Sequence, residues 1–158
     1  MTALTVIEQQ AMAAAAPREV LNCRLGGEEY GIDILAVQEI RRFEPATRIA
    51  NAAAHLLGVT NLRGVIVPII DLRHRMGLPA VIGPETVIII VVVAGRTVGL
   101  TVDSVADVVA LKREQIQPRP GLGNQVDADY IVGLATLNAG NGQRMLILID
   151  LEALLRDL

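Results

Sequence analysis

The chain has 158 residues, enough for one ordinary domain or two small lobes sharing a core, and 52% of them are hydrophobic. Its net charge is −3, it has no basic run and no Trp, so phosphate binding and base stacking are poorly served and nucleic acid is not an expected partner. The apolar residues are mostly Val, Ile, Leu and Ala, with Tyr30, Phe43 and Tyr130 the only aromatics, a composition that favours β-structure.

Residues 1–17 have no basic segment ahead of the Ala-rich stretch Met12–Ala16, which argues against a signal peptide; a disordered tail is expected. Val20–Leu25 reads as a strand, Gly26-Gly27-Glu28-Glu29 as a turn, and Tyr30–Ile34 as the returning strand. Cys23, the sole cysteine, lies in the first of these and cannot form an internal disulfide. Val37–Ile40 alternates with the period of a strand, Phe43–Asn51 is a loop containing Pro45, and Ala52–Leu57 is compatible with one helical turn. Val59–Leu62 and Val65–Ile70 are strands, with Pro68 marking the second as an edge or a bulge. Leu72–Met76 is expected to form a short basic helix, with a solvated His74, stopped by Gly77 and Pro79.

Beyond Gly83-Pro84, the continuous apolar run Val87–Val93 suits a strand buried on both faces. Even extended to Ala94 it is eight residues long, against the roughly 20 a membrane helix needs. Val98–Val102 and Val105–Leu111 follow as strands, and Pro118–Asn124 as a loop. Val132–Leu137 and Met145–Ile149 flank the hairpin turn Asn138–Gly142, and Asp150 is placed to cap a final helix whose Leu151, Leu154, Leu155 and Leu158 form one apolar stripe.

A weak internal repeat runs through these elements. Gly27–Ile40 aligns with Gly95–Val108, matching Gly31 with Gly99 and Val37 with Val105. Leu57–Leu62 aligns with Val132–Leu137, matching Gly58 with Gly133, and each block is followed by a strand ending in Asp-Leu, at Asp71-Leu72 and Asp150-Leu151. Two similar β-lobes are the economical reading, and chance likeness among aliphatic strands is the competing one.

The sequence has no phosphate-binding loop and no nucleophile elbow. Gly121-Leu122-Gly123 lacks the rest of a dinucleotide fingerprint, and His55 and His74 have no partner at ligand spacing, so neither cofactor nor metal is expected. An enzyme or small-molecule carrier would need a polar, convergent pocket. The unusual stretch is Asn61-Leu62-Arg63-Gly64-Val65-Ile66-Val67-Pro68-Ile69-Ile70-Asp71-Leu72-Arg73, where Arg63 interrupts an apolar setting; an ordinary exposed turn arginine competes with a functional one.

That stretch, together with Gly31-Ile32-Asp33-Ile34, Val37-Gln38-Glu39-Ile40 and Thr47-Arg48-Ile49, resembles the CheW family from about Glu19 to the C-terminus. The resemblance implies an all-β fold of two SH3-like five-stranded barrel lobes, at about 27–84 and 85–150 of a domain spanning 18–158, with the N-terminal strand and C-terminal helix free to cross between lobes. It implies a non-catalytic adaptor, cytoplasmic and located at receptor arrays on the inner face of the membrane without inserting into it. The implied partners are the helical tips of methyl-accepting chemoreceptors and the regulatory domain of the CheA kinase. A similar scaffold serving another sensory array, such as one for twitching motility, is the alternative. The family's receptor-facing groove between lobes maps onto Val37, Glu39, Asn61, Arg63, Gly99 and Val108, and its kinase contacts onto Phe43, Arg48 and Gly58.

Overall fold

The computed structural model describes residues 19–118, 130–139 and 142–156. The expected N-terminal tail, most of the Pro/Gly loop beginning at Pro118 and the turn at 140–141 lie outside the described residues. The strands are β1 (Glu19–Leu25), β2 (Glu28–Asp33), β3 (Val37–Arg42), β4 (Leu56–Leu62), β5 (Val65–Asp71), β6 (Val87–Val93), β7 (Arg96–Val102), β8 (Ser104–Ala110), β9 (Ile116–Pro118), β10 (Ile131–Ala139) and β11 (Gly142–Ile149). Two one-turn α-helices, α1 (Leu72–Arg75) and α2 (Leu151–Leu154), follow β5 and β11.

These strands form two sheets, ordered β8-β1-β2-β11-β10-β9 and β3-β6-β7-β5-β4. Set side by side, the two orders are one plan used twice. A parallel pair joins Gly31 to Leu148 in one sheet and Gly99 to Ile69 in the other. A Cβ on Gly31 would meet Leu148 and Val20, and one on Gly99 would meet Ile69 and Ile88, so each glycine admits a branched side chain from both neighbouring strands. Gly58 and Gly133 each follow a register shift, and each leaves no room for a Cβ against a backbone carbonyl, that of Thr47 or of Gln117. Beyond β4, Thr47 bridges Val59 where the other sheet has β9. Asp71 N–H donates to His55 O and Asp150 N–H to Tyr130 O, before each aspartate caps its helix. The repeat is therefore structural, and one of its two sheets carries six strands where five were expected.

The lobes are not consecutive in sequence. One compact unit takes residues 19–22, 29–34 and the described part of 107–158; the other takes 23–28 and 35–106. This departs from the division near residue 84: hairpin β1–β2 shares its sheet with β8–β11, and hairpin β6–β7 with β3–β5. Each unit has its own core. In the first, Val20, Leu111, Ala135, Leu137, Leu146 and Leu148 cluster; in the second, Leu62, Val67, Ile69, Ile88 and Ile90 do. Burying each Val, Leu or Ile side chain among them contributes about 1.5–3 kcal/mol.

Three local expectations change. Ala52–Leu57 is not helical: Asn51 turns with φ 62°, and strand β4 has begun by Leu56. Three alanines are too few to nucleate a helix against that ladder. Strand β5 lies between β4 and β7, not at an edge. Pro68 is tolerated because Val59 opposite it gives both its N–H and its C=O to Thr47, and the β7 ladder starts only at Ile69. The C-terminal helix is the single turn Leu151–Leu154, with Leu151, Leu154 and Leu155 buried, while Leu158 lies outside the described residues.

Candidate interaction surface

Asn61, Arg63 and Glu39 are brought together at the end of the β4–β5 hairpin. Only Arg63 and Gly64 connect the paired residues Leu62 and Val65, and both have positive φ, 51° and 89°. Two-residue turns of this kind match the twist of the strands but favour Asn or Gly at the first position, and Arg there costs on the order of 1 kcal/mol. The exposed Asn61 closes the turn by accepting the Gly64 N–H through Oδ1 at 2.8 Å. Arg63 reaches Glu39 Oε1 at 3.3 Å with its side chain 63% exposed, and Arg41 donates to the same oxygen at 3.4 Å. Glu39 is presented by a register shift in β3 between Val37 and Glu39. Such exposed pairs contribute under about 1 kcal/mol to folding. Next to the turn, Val65 and Ile66 are exposed on β5.

The remaining sequence candidates divide. Val37 is half-buried on β3; Val108, in the other unit, is half exposed on β8. Gly99 is buried under Ile69, Ile88 and Ile90, so its contribution is to let those side chains close over β7. Phe43 is half-buried against the second core, and Arg48 is exposed. Gly58 is buried with φ 151° and lets the Thr47 carbonyl approach, which fixes the segment carrying Phe43 and Arg48 on β4.

Sequence reasoning assigned Arg73 to a short basic helix and missed its role. Its side chain is fully buried; Nε and Nη2 donate to the two oxygens of Asp71 at 3.0 Å, and Nη1 donates to Asp103 at 3.0 Å and to Val81 O at 2.6 Å. The hydrogen bonds it donates to Asp71 are the main reason its pKa is raised. Asp103 also accepts the Gly26 N–H at 2.9 Å. An open depression of about 520 Å³ beside Asp103, Glu85 and Thr86 therefore opens on a carboxylate whose oxygens are already engaged. The buried Cys23 thiol is pushed up to about 12, first by burial and then by the charge of Asp103. Among the described residues, no group of three or more His, Cys, Asp or Glu side chains is placed to hold a metal, and no helix is long and apolar enough to cross a membrane.

A duplicated β-fold presenting two cations that share one anion, with exposed aliphatics at a hairpin end, defines a protein-interaction module. The CheW-like domain family matches residues 19–158. The chain is 51% identical to the chemotaxis protein CheW of Klebsiella aerogenes over 87% of this chain and 81% of that one. It is 40% identical to the probable chemotaxis protein CheW of Rhizobium etli, over 87% and 86%. The crystal structure of the scaffolding protein TtCheW from Thermoanaerobacter tengcongensis is similar with a TM-score of 0.77 and 32% identity, over 87% of each chain. The chain belongs to the CheW family of non-catalytic chemotaxis adaptors.

Proposed function

We propose that the protein couples the cytoplasmic helical tips of chemoreceptors to the regulatory domain of the CheA kinase, within arrays at the inner face of the membrane. The observation that carries this reading is Arg63 held in left-handed backbone at the end of β4–β5 and paired with Glu39. A strained conformation kept at an exposed position is a cost that folding does not repay, and partner recognition offers a reason for it. Val37 and Val65 supply aliphatic contact for a helix bundle; Glu39, Asn61 and Arg63 fix its register through charge and hydrogen bonding. Val108 is a separate apolar contact, and Gly99 acts through packing. Phe43 and Arg48, on the segment that Gly58 admits against β4, are the proposed kinase contacts.

The test is reconstitution of receptor, kinase and this protein on membranes, reading kinase activity. Full activation should require the protein and be lost with Arg63→Glu, while that variant keeps wild-type circular dichroism and melting. A folded Arg63→Glu protein that still activates the kinase fully removes Arg63 from the surface.

A further inference from the structure

We infer that residues 19–82 and 83–156 are two complementary partners joined by a dispensable link, each able to recognise the other on its own chain or on a second copy of it. Neither half contains a complete core. In the first unit, Val20 from the first half packs with Leu146 and Leu148 from the second, and β2 runs parallel to β11 through Tyr30–Ile147 and Gly31–Leu148. In the second unit, Leu62, Val67 and Ile69 from the first half pack with Ile88 and Ile90 from the second. There β3 pairs with β6 from Val37 to Arg42, β5 runs beside β7, and Arg73 meets Asp103.

Because the halves are repeats, hairpin β1–β2 could be mistaken for β6–β7 during assembly. A polar ladder distinguishes them. Asp107, Asn22, Glu29 and Arg144 lie on four neighbouring strands, β8, β1, β2 and β11. Asn22 Nδ2 donates to Glu29 at 2.9 Å and to Asp107 at 3.3 Å, and Arg144 donates to Glu29 at 2.6 Å. Under the repeat, the corresponding residues of the other sheet are Glu39, Ile90, Thr97 and Val65. Placing β6–β7 in this sheet would set Ile90 where Asn22 bridges two carboxylates and Thr97 where Glu29 meets Arg144, so the wrong assembly loses these bonds and leaves Arg144 without that carboxylate.

The link is suited to cutting. Between α1 and β6, Ile82 and Gly83 are exposed. Arg73 holds Val81 from the first half, and Thr86 accepts the Gly83 N–H within the second. A break between Ile82 and Gly83 crosses none of these contacts.

The full chain is made with a specific protease site inserted between Ile82 and Gly83, in unlabelled and 15N-labelled forms, and each is cut after folding. The cut protein should elute with the uncut one and melt in a single transition that rises with concentration. Mixed, unfolded and refolded together, the two forms should yield hybrids of labelled and unlabelled halves, detected by native mass spectrometry, as abundant as the parental pairs combined. Asn22→Val in the same cut chain should reduce recovery of the native complex by at least about tenfold, the equivalent of 1.4 kcal/mol. Separation of the halves on cutting, a native amide spectrum from one half alone, or refolding without hybrids would overturn the proposal. A second site between Pro79 and Ala80 covers the case in which the first insertion prevents folding.

Discussion

Arg73 grips both oxygens of Asp71, two residues before it in the chain, at 3.0 Å, and neither side chain has appreciable contact with solvent. The planar fork of a guanidinium is required for this bidentate hold; an ammonium is not a substitute. The same aspartate caps α1 by accepting the Arg73 N–H, so one carboxylate ends the strand, starts the helix and balances the buried charge.

Arg73→Met should therefore destabilise the protein by about 3–5 kcal/mol, the cost of leaving a buried ion without its partner. Arg73→Lys should recover only a minor part. Urea denaturation followed by circular dichroism measures both, and a midpoint unchanged in Arg73→Met would show that Asp71 is satisfied without it.

Gly58 and Gly64 both have positive φ but differ in surroundings. Gly58→Ala must displace the Thr47 carbonyl, whereas a Cβ at Gly64 meets nothing within 4 Å. Gly64→Ala should cost about 1 kcal/mol from backbone strain alone. Gly58→Ala should cost at least twice that and should move the amide resonances of Phe43–Ile49. Equal costs would mean that the bridge between Thr47 and Val59 is not a tight constraint.

Arg63→Asn exchanges the left-handed arginine for a residue that tolerates that backbone. A gain of about 0.5–1 kcal/mol in folding stability is expected, accompanied by loss of receptor-dependent kinase activation. A variant that gains no stability would show that Arg63 is unstrained.

His55 should give the stability curve an acid-side slope. Its pKa is lowered from 6.5, first by burial and then by Arg75 and His74, so the unfolded chain binds more protons at this site than the folded one. The stabilisation is present above about pH 6.5, the unfolded value, and is lost as pH falls towards the lower folded value. His55→Gln should flatten the decline in unfolding free energy in that window; an unaltered slope would assign the decline to other groups.

Cys23 should be inert to thiol reagents at neutral pH while the protein is folded, since the thiolate is suppressed and the sulfur is buried. Its reaction rate should track opening of the structure, and Arg73→Met, which destabilises the fold and frees Asp103 from its ion pair, should accelerate labelling. Immediate labelling of the native wild type would contradict the burial of the first strand.

Most strands were legible because alternation and the Gly26-Gly27 and Arg63-Gly64 turns are local signals. The repeat was legible for a similar reason: Gly31, Gly99 and Gly133 hold positions where a Cβ meets another strand, and Gly58 one where it meets the bridging Thr47. Which hairpin joins which sheet was not, since β1–β2 and β6–β7 have the same pattern and their partners are distant in sequence. The role of Arg73 was not legible because nothing local separates a solvated arginine from one whose second carboxylate, Asp103, lies 30 residues away. Of the surface, Glu39 and Arg63 stood out as charges in apolar stretches, whereas the packing of Ile69, Ile88 and Ile90 about Gly99 could not be read from its neighbours in sequence.

The parallel pairing of Tyr30 with Ile147 bears on how the protein is made. During translation the first strands leave the ribosome long before β11 exists, while the five-stranded sheet needs nothing beyond β7. The five-stranded sheet has its last strand at Val102, whereas β1 and β2 wait for β11, so the unit that starts the chain is the one completed last, its aliphatic residues Val20 and Leu21 lacking their sheet partners until then.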